Sequence, residues 1–248
     1  MFYGVAPAQQ REFAAALASI TRIYPRHFAM DMLITVARNM GFLEDAAFMQ
    51  AVNEEARTDQ EKSLVWRLHV LCWAASSALK LEGDFVECGV YQGFSVAVIA
   101  KYLRFAGLPR RWYLYDTFAG IPADQINAGD TQSAQSYLDP ALCEKVTQRF
   151  AQYPNIRVVR GRVPEVLLET CPQSIAFMHL DMNSAAAELG ALQHLYDRLV
   201  PGAFLVLDDY GWYFYRQQKL AEDPFFRERG CPILELPTGQ GLVVKPRT

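Results

Sequence analysis

The stretch that most constrains the fold of this chain is residues 84–95, which read Asp-Phe-Val-Glu-Cys-Gly-Val-Tyr-Gln-Gly-Phe-Ser. Phe85 and Val86 begin a short apolar run, which is typical of a parallel strand covered on both faces. The run breaks at Gly89 and Gly93 and leads into a helical segment that begins at Ser95. Because glycine lets the backbone approach a ligand and a helix start offers free N–H groups, the stretch predicts an α/β fold with a ligand at this turn.

Two kinds of nucleotide site share this outline. A dinucleotide site requires Gly-x-Gly-x-x-Gly, but here three residues separate Gly89 from Gly93 and the third glycine is absent. S-adenosylmethionine instead carries a cationic amine and a sulfonium beside a carboxylate. The acidic Glu87 at the strand tip suits the amine, and the N–H groups of the turn suit the carboxylate. A tight turn that only packs the helix closely explains the glycines equally well, so the turn alone does not decide.

Composition and charge argue against several other classes. The 248 residues, 51% of them hydrophobic, allow one large α/β domain with a modest helical addition. A net charge of −3 without a basic cluster argues against nucleic-acid binding. There is no apolar run of about 18 residues and no secretion signal, so we expect no membrane association and a cytoplasmic location. Five scattered cysteines without a C-x-x-C pair predict free thiols.

Residues 1–80 predict a helical cap, and residues 81–248 predict the ligand-binding domain. We expect helices over residues 9–24, 27–40 and 44–57, and a capping box from Thr58 to Glu61 starts a long fourth helix. That helix is apolar on both sides, which predicts packing on the sheet and on a second subunit in a homodimer or higher homo-oligomer. A lid over the ligand and a purely structural cap are both consistent with this region.

Further strands end at polar residues that would border the same ligand. A strand over residues 111–116 ends at Asp116, near the position at which α/β nucleotide sites place an acid on the ribose. Residues 117–137 form a long polar loop of the kind that often binds ligands. After a helix over residues 139–153, a third strand over residues 156–160 ends at Gly161, so Gly161 and Arg162 should lie at the adenine end of the pocket.

The strongest chemical signal comes from the next two strands. A strand over residues 175–180 ends at Asp181, and a strand over residues 203–207 ends at Asp208 and Asp209. A crossover helix over residues 184–199 makes the two strands parallel, so the three acids should converge at one edge of the sheet. The three carboxylates would repel one another, and a bound cation would relieve that repulsion. Because all the ligand atoms are oxygens, Mg²⁺ or Mn²⁺ suits the site best. The alternative is that some of these acids cap helices or pair with arginine.

Two later segments complete the expected fold. The aromatic residues in 210–216 predict a wall for the acceptor molecule, although a packed core or a subunit contact explains them about equally well. The tail predicts a hairpin of strands over residues 231–236 and 241–245, which would add the two final strands to the sheet, one of them antiparallel.

The motifs ECGVYQGFS, LYDTFAGIP, HLDMN and LVPGAFLVLDDYGW together resemble the macrocin O-methyltransferase (TylF-type) family of class I S-adenosylmethionine-dependent methyltransferases. The resemblance covers nearly the whole chain. It implies a Rossmann-like, mostly parallel seven-stranded sheet with a C-terminal antiparallel hairpin. It also implies Mg²⁺-assisted methylation of a small hydroxylated acceptor, with the sugar hydroxyls of natural products favoured.

The resemblance assigns the site residues by motif. It implies that Glu87, Gly89, Gly93 and Ser95 bind the methionine end of the cofactor, that Asp116 binds its ribose, and that Asp181, Asp208 and Asp209 bind the metal. With the neighbouring positions included, the expected cofactor site consists of Glu87, Gly89, Val90, Tyr91, Gly93, Ser95, Asp116, Thr117, Phe118, Gly161, Arg162 and Asp181.

The chain departs from the family in two places. Characterised relatives carry an acid or a histidine as proposed base shortly after the first metal aspartate, where this chain has Asn183, and Arg162 replaces an aromatic residue. An amide can orient a hydroxyl but cannot take its proton. The expected catalytic residues are therefore Asp181, Asn183 and His179, although His179 is better explained as a packed core residue. The proton would pass to a water held by the metal, to a carboxylate of the triad, or to His179.

Two other functions remain open from the sequence. Asn183 at the expected base position is compatible with a non-catalytic partner protein that only binds S-adenosylmethionine. A nicotinamide-dependent oxidoreductase is disfavoured by the missing glycine and by the three converging acids.

Overall fold

The computed structural model describes residues 2, 4–127 and 137–247 of the chain. Its helices are α1 Gln10–Ile23, α2 Ala46–Glu55, α3 Asp59–Ser63, α4 Val65–Ala78, α5 Phe94–Tyr102, α6 Leu142–Phe150, α7 Glu165–Glu169, α8 Ala185–Leu195 and α9 Arg216–Glu228. Its strands are β1 His27–Met30, β2 Leu33–Val36, β3 Asp84–Cys88, β4 Trp112–Asp116, β5 Ile156–Arg160, β6 Ile175–Leu180, β7 Leu199–Leu207, β8 Leu234–Glu235 and β9 Gly241–Val244. None of the described helices has the length and apolar character needed to cross a bilayer.

Seven strands form the main sheet in the order β5-β4-β3-β6-β7-β9-β8. The first five run parallel, and β9 pairs antiparallel with both β7 and β8. This arrangement confirms the predicted mostly parallel sheet with a C-terminal antiparallel hairpin. The strand order reverses between β3 and β6, which is where open α/β sheets form a crevice for ligands.

Alternate side chains along the strands pack into two hydrophobic cores, one on each face of the sheet. Phe85 of β3 and Phe177 of β6 pack on the face covered by α2, α4, α5 and α6. Val86 and Met178, one position further along each strand, pack on the face covered by α7, α8 and α9. A strand buried on both faces reads as an uninterrupted apolar run, and this explains why the sequence predicted β3 and β6 well.

The N-terminal region differs from the prediction in two places. The helix predicted over residues 27–40 is wrong, since this segment forms the antiparallel hairpin β1–β2. The β-branched side chains of β2 favour a strand, and the turn at Asp31 and Met32 places both residues at positive φ, 50° and 60°. The capping box at Thr58 is confirmed, but the long helix breaks at Leu64. The Ser63 hydroxyl donates to the Gln60 carbonyl at 2.7 Å, which offers the backbone an alternative to the helix.

The crossover helix begins where predicted, because the Ser184 side chain accepts from the Ala187 N–H at its start. Helices α7 and α9 were not predicted. Only Arg216 of α9 belonged to the predicted aromatic wall, and Pro224 lies inside this helix. Of the predicted loop over residues 117–137, residues 128–136 lie outside the described residues.

Candidate active site

A cavity of about 1230 Å³ runs along the edge at which the parallel strands end. Its wall contains twelve of the predicted site residues: Gly89, Val90, Tyr91, Ser95, Asp116, Thr117, Gly161, His179, Asp181, Asn183, Asp208 and Asp209. The wall also includes residues of the cap, among them Asp31 and Arg67. The volume is large enough for a nucleoside cofactor and a second molecule side by side.

The glycine turn after β3 is shaped by two close approaches. Gly89 has φ of 87°, and a Cβ there would collide with the backbone carbonyl of Asp181 at the end of β6. Gly93 has φ of 72°, and a Cβ there would collide with the Phe150 ring. Both glycines therefore meet a steric requirement as well as a backbone one. The turn holds the ends of β3 and β6 together, whereas Gly93 itself lies behind the cavity wall.

Asp116 holds the same turn from the neighbouring strand. Its Oδ2 accepts from the N–H groups of Val90 and Tyr91, both at 2.8 Å, and its Oδ1 accepts from the N–H of Phe118 at 2.7 Å. We expected the turn N–H groups to face the carboxylate of a cofactor, but Asp116 already takes two of them. Asp116 is therefore a structural anchor of the turn, and its predicted contact with the ribose remains a prediction.

Glu87 lies under the cavity rather than on its wall. It is fully buried, and its Oε1 faces His179 Nδ1 at 3.0 Å and accepts from the Ser95 hydroxyl at 3.0 Å. Burial opposes a charge on His179, yet Glu87 and Asp208 together raise the pKa of its imidazole well above the ordinary value. The buried His179 ring therefore lies between Glu87 and Asp208 and links the cofactor turn to the acid cluster, and its burial agrees with the expectation of a packed core residue.

Three side chains that could bind a metal converge beside this link. The ligand atoms of His179, Asp181 and Asp208 lie within 4.8 Å of one another. Asp209, the third predicted ligand, lies outside that group of three. Burial and the nearby Asp208 carboxylate raise the pKa of Asp181 to about 8. Burial and Asp181 likewise raise the pKa of Asp209 well above its usual range.

The donor set fits a hard divalent cation. Asp209 Oδ2 is buried and has no hydrogen-bond partner among the described residues. A buried oxygen without a donor is costly, and crowded carboxylates raise one another's pKa, so a cation would relieve both costs. Asp181, Asp208 and Asp209 offer oxygen ligands, which Mg²⁺ and Mn²⁺ prefer. The presence of an ion stays a prediction.

Arg67, a cation that contacts this cluster, was not among the predicted site residues. Arg67 of α4 binds Asp31 through Nε at 2.7 Å and Asp208 through Nη1 at 2.5 Å, and its Nη1 lies 3.8 Å from Asp209. Burial opposes the charge, but the three acids raise the pKa of Arg67 further above its already high value. A single arginine inside an otherwise apolar helix was the signal that could have marked it.

Asp208 is the best-supported acid of the cluster. Its Oδ1 lies 3.3 Å from His179 Nε2 and accepts from Gln240 Nε2 at 2.8 Å, and its Oδ2 accepts from Arg67. Burial alone would raise its pKa, but Arg67 and His179 lower it below the ordinary value. Asp208 is therefore a fixed carboxylate. Gln240, fully buried in the tail hairpin, is a second residue that the sequence did not identify.

Asn183 is held at the opposite side of Asp181. Its backbone has φ of 53°, and its backbone carbonyl accepts from Asn127 Nδ2 at 3.0 Å. Its side-chain Nδ2 donates to the Tyr137 hydroxyl at 3.2 Å. The Tyr137 ring packs edge-on against Tyr91 of the cofactor turn, with ring centroids 5.2 Å apart. Asn127 and Tyr137, the described residues on either side of 128–136, thus both contact Asn183.

The remaining predicted positions are more peripheral. Arg162 pairs with Asp124 at 2.6 Å and with Glu165 at 3.3 Å, and it lies off the cavity wall, as does the buried Phe118. Of the aromatic segment, Trp212, Phe214 and Tyr215 line the cavity beside the acids.

Comparisons with known proteins identify the family of this chain. The family model for macrocin O-methyltransferase (TylF) matches residues 66–231. A mycinamicin III 3''-O-methyltransferase from Micromonospora griseorubida is 25% identical over 68% of this chain and 74% of that protein. An 8-demethyl-8-(2,3-dimethoxy-alpha-L-rhamnosyl)-tetracenomycin-C 4'-O-methyltransferase from Streptomyces olivaceus is 31% identical over 52% of this chain and 53% of that protein. The solved structure of the O-methyltransferase NovP aligns with a TM-score of 0.64 at 20% identity, over 74% of this chain and 81% of that one.

These findings confirm the predicted family, fold and enzyme class. The similarity to NovP supports the methyltransferase fold, and the relatives are O-methyltransferases. The chain is accordingly an S-adenosylmethionine-dependent O-methyltransferase, and this takes the place of the nicotinamide-dependent and non-catalytic alternatives. Because the family model covers well over half of its residues, the chain belongs to the macrocin O-methyltransferase (TylF) family.

Proposed function

We propose that this enzyme methylates a sugar hydroxyl of a natural-product glycoside and that Mg²⁺ or Mn²⁺ assists the transfer. The observation that carries the proposal is the convergence of the cofactor turn, the acid cluster and an aromatic wall on one cavity. The acceptor class is supported by the relatives, one of which is named for mycinamicin III and another for a rhamnosyl tetracenomycin.

The bound cofactor supplies a methyl group on a sulfonium, which is already a good leaving group. The acceptor oxygen attacks the methyl carbon as the carbon–sulfur bond breaks, and the hydroxyl proton must leave. The protein therefore has to align the two molecules, exclude water and receive that proton. The turn anchored by Gly89 and Asp116 would fix the methionine end of the cofactor next to Asp181, because the backbones of Gly89 and Asp181 are in contact.

Asp181, Asp208 and Asp209 would hold the metal ion. A divalent cation lowers the pKa of a hydroxyl that it binds, from about 15 by several units. The carboxylates of the cluster are the groups best placed to receive the proton. His179 is a poor candidate for this role, because both of its ring nitrogens already face carboxylates.

The acceptor sugar would lie between the aromatic wall and the Asn183 turn. Aromatic faces such as those of Trp212 and Tyr215 stack on sugar carbons, while the Asn183 amide and the Tyr137 hydroxyl can bind sugar oxygens. Trp212, Tyr215, Asn183 and Tyr137 line the same cavity as the acids, which supports this placement of the acceptor. In this arrangement Asn183 orients the acceptor and does not act as a base.

The experiment has two stages. Calorimetric titration with S-adenosylhomocysteine tests the cofactor site, with NADH as the matched negative ligand. Transfer of labelled methyl groups to a panel of glycosides then tests the reaction, before and after chelation with EDTA and after Mg²⁺ is restored. Loss of turnover on chelation with intact cofactor binding supports the metal's role, whereas full activity after rigorous chelation rejects it. Turnover on free phenols but on no glycoside would reject the acceptor class.

A further inference from the structure

Arg67 is a positive charge that the cap places inside the acid cluster. It connects Asp31 in the β1–β2 turn with Asp208 at the end of β7, although 141 residues separate Arg67 from Asp208. The contacts are well shielded, because the side chain of Arg67 is 14% exposed and that of Asp31 is 7% exposed. Shielded charges interact strongly, so this guanidinium neutralises a large part of the charge that a metal ion would otherwise neutralise.

The coordination of Asp208 leaves little room for a second cation. Its Oδ1 already faces His179 and Gln240, and Arg67 Nη1 sits on its Oδ2. A carboxylate oxygen accepts about two bonds, so a divalent ion that binds Asp208 would have to share Oδ2 with the guanidinium. Two cations on one buried oxygen repel each other, so the binding of either one weakens the binding of the other.

Arg67 has a second binding partner, Asp31, that it keeps when it leaves Asp208. Its Nε and Nη2 face Asp31 at 2.7 Å and 3.4 Å, so this edge of the guanidinium stays paired when Nη1 leaves Asp208. The Trp212 ring also lies 4.6 Å from the guanidinium carbon and holds it from one face. The turn that presents Asp31 is tight, because Asp31 and Met32 both have a positive φ.

We propose that Arg67 and the divalent ion compete for Asp208, and that Asp31 sets the balance by drawing Arg67 toward the cap. In the absence of the ion Arg67 closes the cluster, and when the ion binds Arg67 remains on Asp31 beneath Trp212. The inference rests on the metal use proposed above. It makes Arg67 and Asp31 positioning residues that tune metal affinity from outside the ligand set.

The test is a Mn²⁺ titration of the full chain in the presence of S-adenosylhomocysteine, followed by the electron paramagnetic resonance signal of free Mn²⁺. R67Q should bind Mn²⁺ roughly tenfold more tightly or better, because the repelling charge is gone. D31N should bind Mn²⁺ several-fold more weakly, because Arg67 then rests on Asp208 alone. R67K, which retains the charge, is the matched control and should stay near the wild-type affinity. Unchanged affinity for S-adenosylhomocysteine would show that each variant is folded.

The double variant separates competition from simple loss of charge. If Asp31 acts through Arg67, most of the effect of D31N disappears in the R67Q background. An effect of D31N that is equal in both backgrounds would overturn the proposal, and so would weaker Mn²⁺ binding by R67Q. If the wild-type enzyme and all variants bind S-adenosylhomocysteine but no Mn²⁺, both the competition and the proposed metal use are overturned. If Mn²⁺ binds with the same affinity to the wild type and to R67Q, the competition is overturned but the proposed metal use is not.

Discussion

A pair of buried glutamates beneath the active site predicts an unusual dependence of stability on pH. Glu188 of α8 accepts from the Met182 N–H at 3.0 Å and from Gln218 Nε2 at 2.6 Å. Glu222 of α9 is fully buried, and its two oxygens have no donor among the other described residues. The two side chains interact, because burial together with the nearby Glu222 carboxylate raises the pKa of Glu188 well above its usual range. Burial is the main reason that the pKa of Glu222 rises from 4.5 to about 7.

The raised pKa of Glu222 means that the folded chain binds this proton more tightly than the unfolded chain does. Its contribution to stability is complete below pH 4.5 and is lost as the pH rises through about 7. One pKa unit corresponds to about 1.4 kcal/mol, so the contribution falls by about 2–3 kcal/mol between about pH 5 and pH 9. Glu222→Gln keeps the shape and supplies a permanent donor to Glu188. It should match the wild type near pH 5 and exceed it by about 2–3 kcal/mol near pH 9.

Urea unfolding at both pH values measures this difference directly. Thermal unfolding should show the same gap near pH 9 as a rise in Tm of about 5–10 °C for a chain of this size. Glu228→Gln is the matched control, because Glu228 lies on the same helix and is exposed. The reasoning is refuted if Glu222→Gln is less stable than the wild type at both pH values, or if the gap does not grow with pH.

Three further predictions concern the cavity wall. Gly89→Ala should lower the affinity for S-adenosylhomocysteine about tenfold or more, because Gly89 has a positive φ and a Cβ there would collide with the Asp181 carbonyl. Gly107→Ala is the control, because a Cβ at Gly107 would meet open space, and it should not change the calorimetric Kd. Asp116→Asn should weaken the same binding about ten- to a hundredfold, since three backbone N–H groups lose a charged acceptor; a Kd within twofold of the wild type would contradict this. Asn183→Gly allows the positive φ but removes the side-chain amide, so kcat should fall about tenfold while the cofactor affinity measured by calorimetry stays unchanged. An equal loss of kcat and of cofactor affinity would argue for a structural role.

The main sheet was predictable because its strands carry their own signals. Each central strand is a short buried apolar run that ends at an acid or a glycine, and the order of runs and helices leaves few possible topologies. The convergence of Asp181 and Asp208 followed from that topology without any knowledge of side-chain contacts. Local patterns with a fixed consequence for the backbone therefore carried the prediction.

The cap was harder to predict because its signals are ambiguous. Residues 27–40 contain apolar side chains whose spacing suits a helix as well as a hairpin, and the turn uses Asp31 and Met32 in place of the usual Asn-Gly. The partner of Arg67 lies far along the chain, and helix periodicity contains no information on such a contact. The pairing of Asp116 with the cofactor turn was missed for a related reason, since the same carboxylate also suits a ribose.

The acid cluster is asymmetric, and this asymmetry indicates how a cation would act on it. Arg67, His179 and Gln240 all support Asp208, whose pKa is lowered below its ordinary value. Asp181 and Asp209 have raised pKa values, and one Asp209 oxygen is buried without a donor. A cation therefore stabilises the cluster most beside Asp181 and Asp209, whereas Asp208 stays ionised and fixed in place without a cation. Arg67 connects the cap to Asp208 and lies near Asp209, so a cation bound in this cluster would act on the cap through Arg67.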